Sequence, residues 1–427
     1  MAESQKSFYL HTLGCPKNQV DSDKIAGTLI GDGLVSVEDP SSADLVVVNT
    51  CAFIEEAREE SVGVVLEINQ QRRPDSKIVV TGCMAERYGS ELSDALPEVD
   101  LVAGFGVPVN LTKKPSGLEI VADEPVPRLD LLNLQRPASA LPWAYVKIAE
   151  GCDRACGFCA IPSFRGPQNS REIESILQEV EDLNVREIVL VAQDLASFGS
   201  DRGERGSVVQ LVDAVREQVD RVRLLYLYPS DLSDALIEVI LKTGVPYFDL
   251  SLQHVTREHL RRMRRWGQGS KFLERIARIR SEYPGAAFRS NFIVGYPGET
   301  EDDQAELVRW LEEAQLDWCG LFTYSQEDGT YAADLGEQVP GSLMLERHAE
   351  LSELQDRITA NRRDQLVGKT IEILVDAPGI GRSYREAPEI DGVVRVPTDL
   401  KTGQFYKVSV DRSEGPDLEA SSVEVLR

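Results

Sequence analysis

The spacing of apolar and polar residues changes twice along this 427-residue chain, and the changes mark its units. Between residues 7 and 115, short apolar runs alternate with longer stretches whose apolar residues recur every three or four positions. Residues 8–13, 43–49 and 77–81 are predicted strands, the second buried because its apolar run leaves no wet face. Residues 19–30, 53–70 and 86–96 are predicted helices; in the second, Phe53, Ala57, Val64, Val65 and Ile68 recur at helical spacing. Strands alternating with helices through short connections predict a parallel sheet. Residues 116–141 have no period and are rich in Pro, Asp and Leu, which predicts a linker with a little extended structure.

From 142 to 366 the rhythm restarts. Predicted strands cover 143–149, 186–193, 221–228, 247–252, 288–295 and 318–324. Predicted helices lie near 171–183, 207–219, 231–242, 256–282, 301–315 and from about residue 343. Six strand–helix units are too few for a closed eight-unit barrel, so an open partial barrel is expected, able to take a large substrate from the side. After residue 367 the period shortens. Segments 369–375, 392–396 and 404–410 alternate between turn clusters, the pattern of a small all-β barrel over 367–427. The expected fold class is α/β: an N-terminal parallel α/β domain (7–115), a linker, an open six-unit (β/α) barrel (142–366) and a small β-barrel.

Charge narrows the partners. The chain carries 46 Lys+Arg against 71 Asp+Glu, a formal net charge of −25. Each unit is acidic, with net charges of −10 over residues 1–140, −12 over 141–366 and −3 over 367–427. Such a surface repels nucleic acid at long range and attracts basic partners. No apolar run approaches the roughly 20 residues of a membrane span, and the first residues lack a signal peptide's apolar core. No membrane association and a cytoplasmic location are therefore expected. There cysteines stay reduced and serve metals or catalysis rather than disulfides.

Of seven cysteines, three form Cys152-Asp-Arg-Ala-Cys156-Gly-Phe-Cys159, just past the first barrel strand, where barrel active sites sit. Thiolates suit iron–sulfur clusters or zinc. With no nearby histidine the set is one ligand short of a closed zinc site, so a cluster with one open metal position is favoured over a zinc knuckle or three unrelated core thiols. Cys15, Cys51 and Cys83 each follow one of the three N-terminal strands. The carboxyl ends of parallel strands share one sheet edge, so these dispersed thiols are expected to meet as a second metal site. Buried, unrelated cysteines are the blander alternative. Cys319, inside a predicted strand, is expected in the core. Arg257, Arg261, Arg262, Arg264 and Arg265 are expected on a solvated helix face, with a contact to ribosomal RNA or to a carboxylate as the sharper alternative, and His254 at the barrel rim.

The Cys-x3-Cys-x2-Cys spacing, with Phe158 before the last cysteine, resembles the signature of radical S-adenosylmethionine enzymes. There, three irons of a 4Fe–4S cluster take the cysteines and the fourth chelates S-adenosylmethionine. Six cysteines, three and three, on this domain order resemble the methylthiotransferases, whose C-terminal barrel is called TRAM. Leu13-Gly-Cys-Pro-Lys-Asn-Gln-Val-Asp-Ser22, with Ile161-Pro162 and Arg165-Gly166, is similar to the branch that modifies small-subunit ribosomal protein S-twelve. The resemblance implies two 4Fe–4S clusters, on Cys152, Cys156 and Cys159 and on Cys15, Cys51 and Cys83. It also implies a low-potential electron donor and addition of a methylthio group to the β-carbon of an aspartate, in the free protein or in the small ribosomal subunit. It places S-adenosylmethionine near Phe158, Gln193, Asp194, Asn291 and Gly295; Leu195 and Phe198 depart from the usual Thr and Tyr of the second strand's loop. The basicity of ribosomal proteins agrees with the chain's acidity. The same charge disfavours the nearest alternative, a tRNA adenosine methylthiotransferase. A non-catalytic iron–sulfur electron carrier is the alternative of another class.

Overall fold

A computed structural model describes residues 5–106, 109–114, 117–122 and 128–426. The N-terminal unit contains β1 (Ser7–Thr12), α1 (Pro16–Gly31), β2 (Val35–Ser36), β3 (Leu45–Thr50), α2 (Glu55–Gln71), β4 (Lys77–Gly82), α3 (Cys83–Ala95) and β5 (Leu101–Val102). The strands form one parallel sheet in the order β2-β1-β3-β4-β5. Thr12, Asn49 and Thr81 share one row across β1, β3 and β4. The chain therefore leaves all three strands at the same edge, one to three residues before a cysteine. α1 starts three residues earlier than its apolar period predicts, because Pro16 at its first position presets a helical φ and needs no N–H partner.

The expected linker contains a strand and a short helix. β6 (Val109–Lys114) and β7 (Gly117–Ala122) form an antiparallel hairpin across its start, and α4 (Arg128–Leu132) follows. Lys24 donates to the Leu134 carbonyl (2.6 Å), and Arg136 to Asp23 (3.0 Å) and to the Tyr145 carbonyl (2.6 Å). These bonds fasten the stretch between the first unit and the barrel.

The barrel comprises β8 (Trp143–Lys147), β9 (Ala149–Glu150), α5 (Ile161–Arg165), β10 (Asn169–Ser170), α6 (Ile173–Leu183), β11 (Glu187–Val191), α7 (Ser207–Val215), β12 (Arg221–Leu224), α8 (Asp234–Ile240), β13 (Tyr247–Gln253), α9 (Arg257–Arg262), α10 (Gly269–Glu282), β14 (Ala287–Val294), α11 (Glu301–Ala314), β15 (Trp318–Thr323) and α12 (Gly341–Asp364). Six parallel strands run β8-β11-β12-β13-β14-β15, with β12 and β13 joined only by a bridge at Leu227 and Leu250. β8 and β15 do not pair, so the barrel is open as expected. Residues 256–282 are two helices, not one. Arg264 (φ +54°) and Gly267 (φ +121°) take left-handed backbone between α9 and α10, which ends the first helix. Alternate strand residues face two cores. Val146, Ile188, Val222 and Phe288 pack outward against the helices, whereas Trp143, Tyr145, Val189 and Tyr247 fill the base of the lumen. Val20 of α1 joins this inner core, so the N-terminal unit packs into the barrel.

The C-terminal unit is a closed barrel of β16 (Thr370–Ala377), β17 (Ile380–Arg382), β18 (Val394–Arg395), β20 (Asp417–Val425) and β19 (Phe405–Glu414), in that spatial order. Its β17–β18 loop plugs the amino-terminal end of the larger barrel. Trp318 Nε1 donates to the Arg385 carbonyl (2.6 Å), Tyr145 Oη to that of Pro388 (3.0 Å) and Tyr247 Oη to Asp391 (2.7 Å). Beneath the plug, the fully buried Glu187 accepts from Arg223 Nε (2.8 Å) and Arg382 Nη1 (3.2 Å). Burial alone would raise its pKa, but Arg382, Arg223 and Arg221 outweigh it and hold the carboxyl at about 2. A depressed carboxyl contributes stability above its unfolded value near 4.5, and loses it as pH falls toward 2. The shift corresponds to about 3 kcal/mol. Glu187→Gln should therefore lower denaturant stability at pH 7 by about that amount and flatten the loss between pH 4.5 and 2, measured by urea unfolding across pH.

Among the described residues no helix is long and apolar enough to cross a membrane.

Candidate functional site

Parallel topology alone gathers the dispersed thiols. Cys15 lies at the N-terminal end of α1, Cys51 just past β3 and Cys83 at the first position of α3. They are close enough to act on one another's ionisation. Burial pushes the Cys51 thiol up to about 12, with the charges of Cys15 and Cys83 adding to the rise. Burial also raises Cys83, against the pull of Arg165. At Cys15 burial is outweighed by Lys17, Arg165 and the N–H groups of Asn18 and Lys17, which hold its thiol below the ordinary value. Gly14 permits this convergence: its φ is +95°, and a Cβ there would stand 2.9 Å from Cys51 Cβ and 3.0 Å from Cys51 Sγ.

The contiguous thiols occupy the loop after β9. The Cys152 N–H donates to the Gly166 carbonyl (3.0 Å), and Gly157 is anchored to Met263 (2.9 Å) and Ala332 (2.7 Å) through its backbone. Gly151 (φ +78°) makes the turn possible, since a Cβ would lie 2.0 Å from the Pro167 carbonyl oxygen. Burial pushes Cys152 up to about 11 and Cys159 up to about 12. Two groups answer the thiolate charge: the Arg154 N–H donates to Cys152 Sγ (3.4 Å) and Arg265 Nη1 to Cys156 Sγ (3.2 Å). Arg265 also donates to the Ser251 carbonyl and lies 4.2 Å from the centre of the Tyr228 ring. The expected solvated arginine face is thus corrected at this residue. The break after α9 turns Arg265 inward to the cysteine loop, while Arg257 and Arg261 remain exposed.

The expected cofactor residues line the same end of the lumen. Gln193 and Asn291 each carry a buried, unpartnered amide oxygen, Oε1 and Oδ1, although Gln193 Nε2 donates to Glu150 (2.8 Å). Asp194 accepts from Arg154 Nε (2.5 Å) through one oxygen and leaves Oδ1 buried without a partner. Gly295 has already committed its N–H to Glu299 Oε2 (2.9 Å). Phe158 packs beside Met263, Ile293 and Tyr296. His254 directly follows β13 and is fully buried there, and burial pushes its pKa down to about 3. Cys319 is half-buried against the outer core.

One residue connects the two thiol sets, and its role was not legible in the sequence. Arg165 ends α5, six residues after Cys159. It donates through Nη2 to Cys83 Sγ (3.1 Å) and Asn18 Oδ1 (2.7 Å), and through Nη1 to Asp21 (3.0 Å) and Glu150 (3.0 Å). Lys147, fully buried, pairs with the same Asp21 (2.6 Å) and with Glu150. Arg165-Gly166 stands out in the sequence, but no spacing rule pairs it with a cysteine 82 positions earlier.

The residues fit the groups that the cysteine patterns imply. Each set offers three thiols and not four, with a guanidinium donating to a sulfur. Such donors stabilise an anionic iron–sulfur cluster with one open iron. Among the described residues no three His, Cys, Asp or Glu side chains are placed to hold a single metal ion. A cubane needs a wider triangle, because each thiolate takes a separate iron. The unpartnered oxygens of Gln193, Asp194 and Asn291 are acceptors for a ligand with N–H donors, which S-adenosylmethionine has.

Comparisons with known proteins bear on the whole chain. Residues 7–104 match the family described as "Uncharacterized protein family UPF0004", residues 146–311 the radical SAM superfamily and residues 367–423 the TRAM domain. The chain is 42% identical to the ribosomal protein uS12 methylthiotransferase RimO of an Anaeromyxobacter species, over 96% of this chain and 92% of that protein. Its counterparts in Streptomyces coelicolor and Aquifex aeolicus are each 39% identical, covering 98% and 97% of this chain and 97% of each relative. Among solved structures, a radical S-adenosylmethionine methyltransferase, TsrM of Kitasatospora setae, with cobalamin and a 4Fe–4S cluster bound, superposes with a TM-score of 0.53. The two are 13% identical, and the match covers 88% of this chain and 80% of that one, a likeness of fold alone.

Proposed function

The chain belongs to the family of ribosomal protein uS12 methylthiotransferases, and from that premise we propose that it adds a methylthio group to the β-carbon of an aspartate in this small-subunit protein. Cys152, Cys156 and Cys159 would hold a 4Fe–4S cluster that binds S-adenosylmethionine, and Cys15, Cys51 and Cys83 a second 4Fe–4S cluster. The observation that carries the reading is the convergence of the dispersed thiols beside Arg165, which ends the helix that follows the contiguous cysteine loop. The division into a cluster domain (7–115), a radical barrel (142–366) and a TRAM-like barrel (367–427) is part of the proposal. When bound, the cluster and S-adenosylmethionine supply hydrogen-atom abstraction from a carbon that no ordinary side-chain base can deprotonate.

The chain's own residues would do the rest. Arg154 and Arg265 steady the cysteine loop through Cys152 and Cys156. Gln193, Asp194 and Asn291 offer acceptors to the cofactor, with Phe158 and the Gly295 turn beside them. The β17–β18 loop closes the lumen at its base, which leaves the cysteine end and the open side between β8 and β15 for substrate. The acidic surface draws a basic ribosomal protein, free or in the assembled small subunit, and repels tRNA. Cytoplasmic location and a low-potential electron donor complete the reading.

The test is anaerobic reconstitution with iron and sulfide, then incubation with S-adenosylmethionine, a reductant, and either uS12 or tRNA. Mass spectrometry is expected to find the methylthio group on an aspartate of uS12. Its appearance on a tRNA adenosine alone would replace this reading with the tRNA one.

A further inference from the structure

Two residues beyond Cys15, Lys17 leaves the N-terminal unit and reaches the barrel. Its Nζ lies 3.4 Å from the centre of the Tyr226 ring, at the carboxyl end of β12. Tyr226 is held in an unusual state for a bulky residue, with φ at +64° and its N–H donating to Asp249 Oδ2 (2.9 Å). Backbone of this kind persists only where surrounding contacts enforce it, and such sites cluster at functional clefts. Tyr228, two residues on, carries the guanidinium groups of Arg154 and Arg265 on its ring, and Arg265 donates to Cys156. Lys17 therefore stands in the space between the dispersed and the contiguous thiols.

Except for Arg265, which donates to Cys156 Sγ and the Ser251 carbonyl, the other cations of this region have carboxylate partners. Lys147 and Arg165 share Asp21 and Glu150, Arg154 pairs with Asp194 and Asp231, and Arg289 with Asp249 (3.1 Å) and Asp391 (3.5 Å). Among the described residues Lys17 has no ion pair, though it is half-buried in a chain with 71 acidic residues. Its company is the Tyr226 side chain and the Cys15 thiol two residues away, neither of them a carboxylate. Such a group suits a carboxylate that arrives with a ligand.

We propose that Lys17 is the specificity-determining residue that receives the carboxylate of the side chain being modified. The proposal rests on the methylthiotransferase reading above. There the reacting β-carbon of aspartate is bonded directly to its carboxyl carbon, so a cation between the two thiol sets holds that carbon between them. The division of labour is then electrostatic. The acidic exterior gathers a basic protein, and one interior cation selects the acidic residue within it.

The test uses the full-length reconstituted chain at matched iron content, and a fluorescent basic peptide carrying the target aspartate or asparagine in its place. Anisotropy is expected to show the wild type preferring the aspartate peptide by roughly 30-fold or more, the effect of leaving one partner of a buried charge pair alone. Lys17→Met should bind both peptides equally, with a higher KM for the aspartate peptide, and Lys17→Arg should keep most of the preference. A Lys17→Met enzyme that still discriminates, or one whose KM rises for S-adenosylmethionine and not for the peptide, overturns the proposal. Either result leaves the function standing, which depends only on whether the wild type methylthiolates uS12.

Discussion

Cys152→Ala and Cys15→Ala are both expected to abolish methylthiolated product, and they should fail differently. Two 4Fe–4S clusters imply about eight irons per reconstituted chain. Each substitution removes one ligand of three and should bring the count to about four. Cys152 sits beside the acceptors proposed for S-adenosylmethionine, so its loss should also remove 5′-deoxyadenosine formation. Cys15 lies in a different unit, and Arg165 and its neighbours stand between it and the cysteine loop. Cys15→Ala should therefore still release 5′-deoxyadenosine under reducing conditions while no methylthio group is transferred. Iron analysis, a nucleoside assay and product mass spectrometry separate the two. A Cys15→Ala enzyme that makes product at the wild-type rate would remove the second cluster from the reading.

What the sequence disclosed follows how local each signal is. Cys152, Cys156 and Cys159 share one loop, so their spacing is already geometry. Cys15, Cys51 and Cys83 were legible for a subtler reason: in a parallel sheet a position just past a strand is also a position in space, as the shared row of Thr12, Asn49 and Thr81 makes explicit. Gln193 and Asn291 were legible through the family resemblance, and both leave a buried amide oxygen unpartnered. Arg165, Lys147, Glu150 and Asp21 were not. A buried ion-pair network has no period, and its Asp21 comes from a segment far along the chain from Lys147, Glu150 and Arg165. Arg265 was misplaced because helical periodicity carries straight through residues 256–282, whereas two left-handed residues redirect the chain there. The β-barrel's β20 was missed for a related reason: its inward Leu418 and Ala420 alternate with Glu and Ser, too polar a strand to stand out.

Arg165→Met should show how far the two units depend on one another. The side chain is almost wholly buried and donates to Cys83, Asn18, Asp21 and Glu150. Methionine fills similar space but donates nothing. Glu150 would keep Lys147, and Asp21 would share it, so one buried and one partly buried carboxylate would be left with one cation. Removing one partner from a buried pair costs about 3–5 kcal/mol. Because the broken bonds cross from the barrel to the N-terminal unit, the loss should fall on the docking of that unit and not on either core. Urea unfolding of the variant is expected to resolve two transitions where the wild type shows one, and the first should coincide with exposure of the Cys15, Cys51 and Cys83 thiols to a thiol reagent in the iron-free chain. Arg165→Lys, which keeps the charge but can no longer bond the thiol side and the carboxylate side at once, should fall between the two. A single transition in Arg165→Met at the wild-type midpoint would mean that the surrounding contacts, Lys147–Asp21 and Val20 in the inner core among them, hold the units together without it.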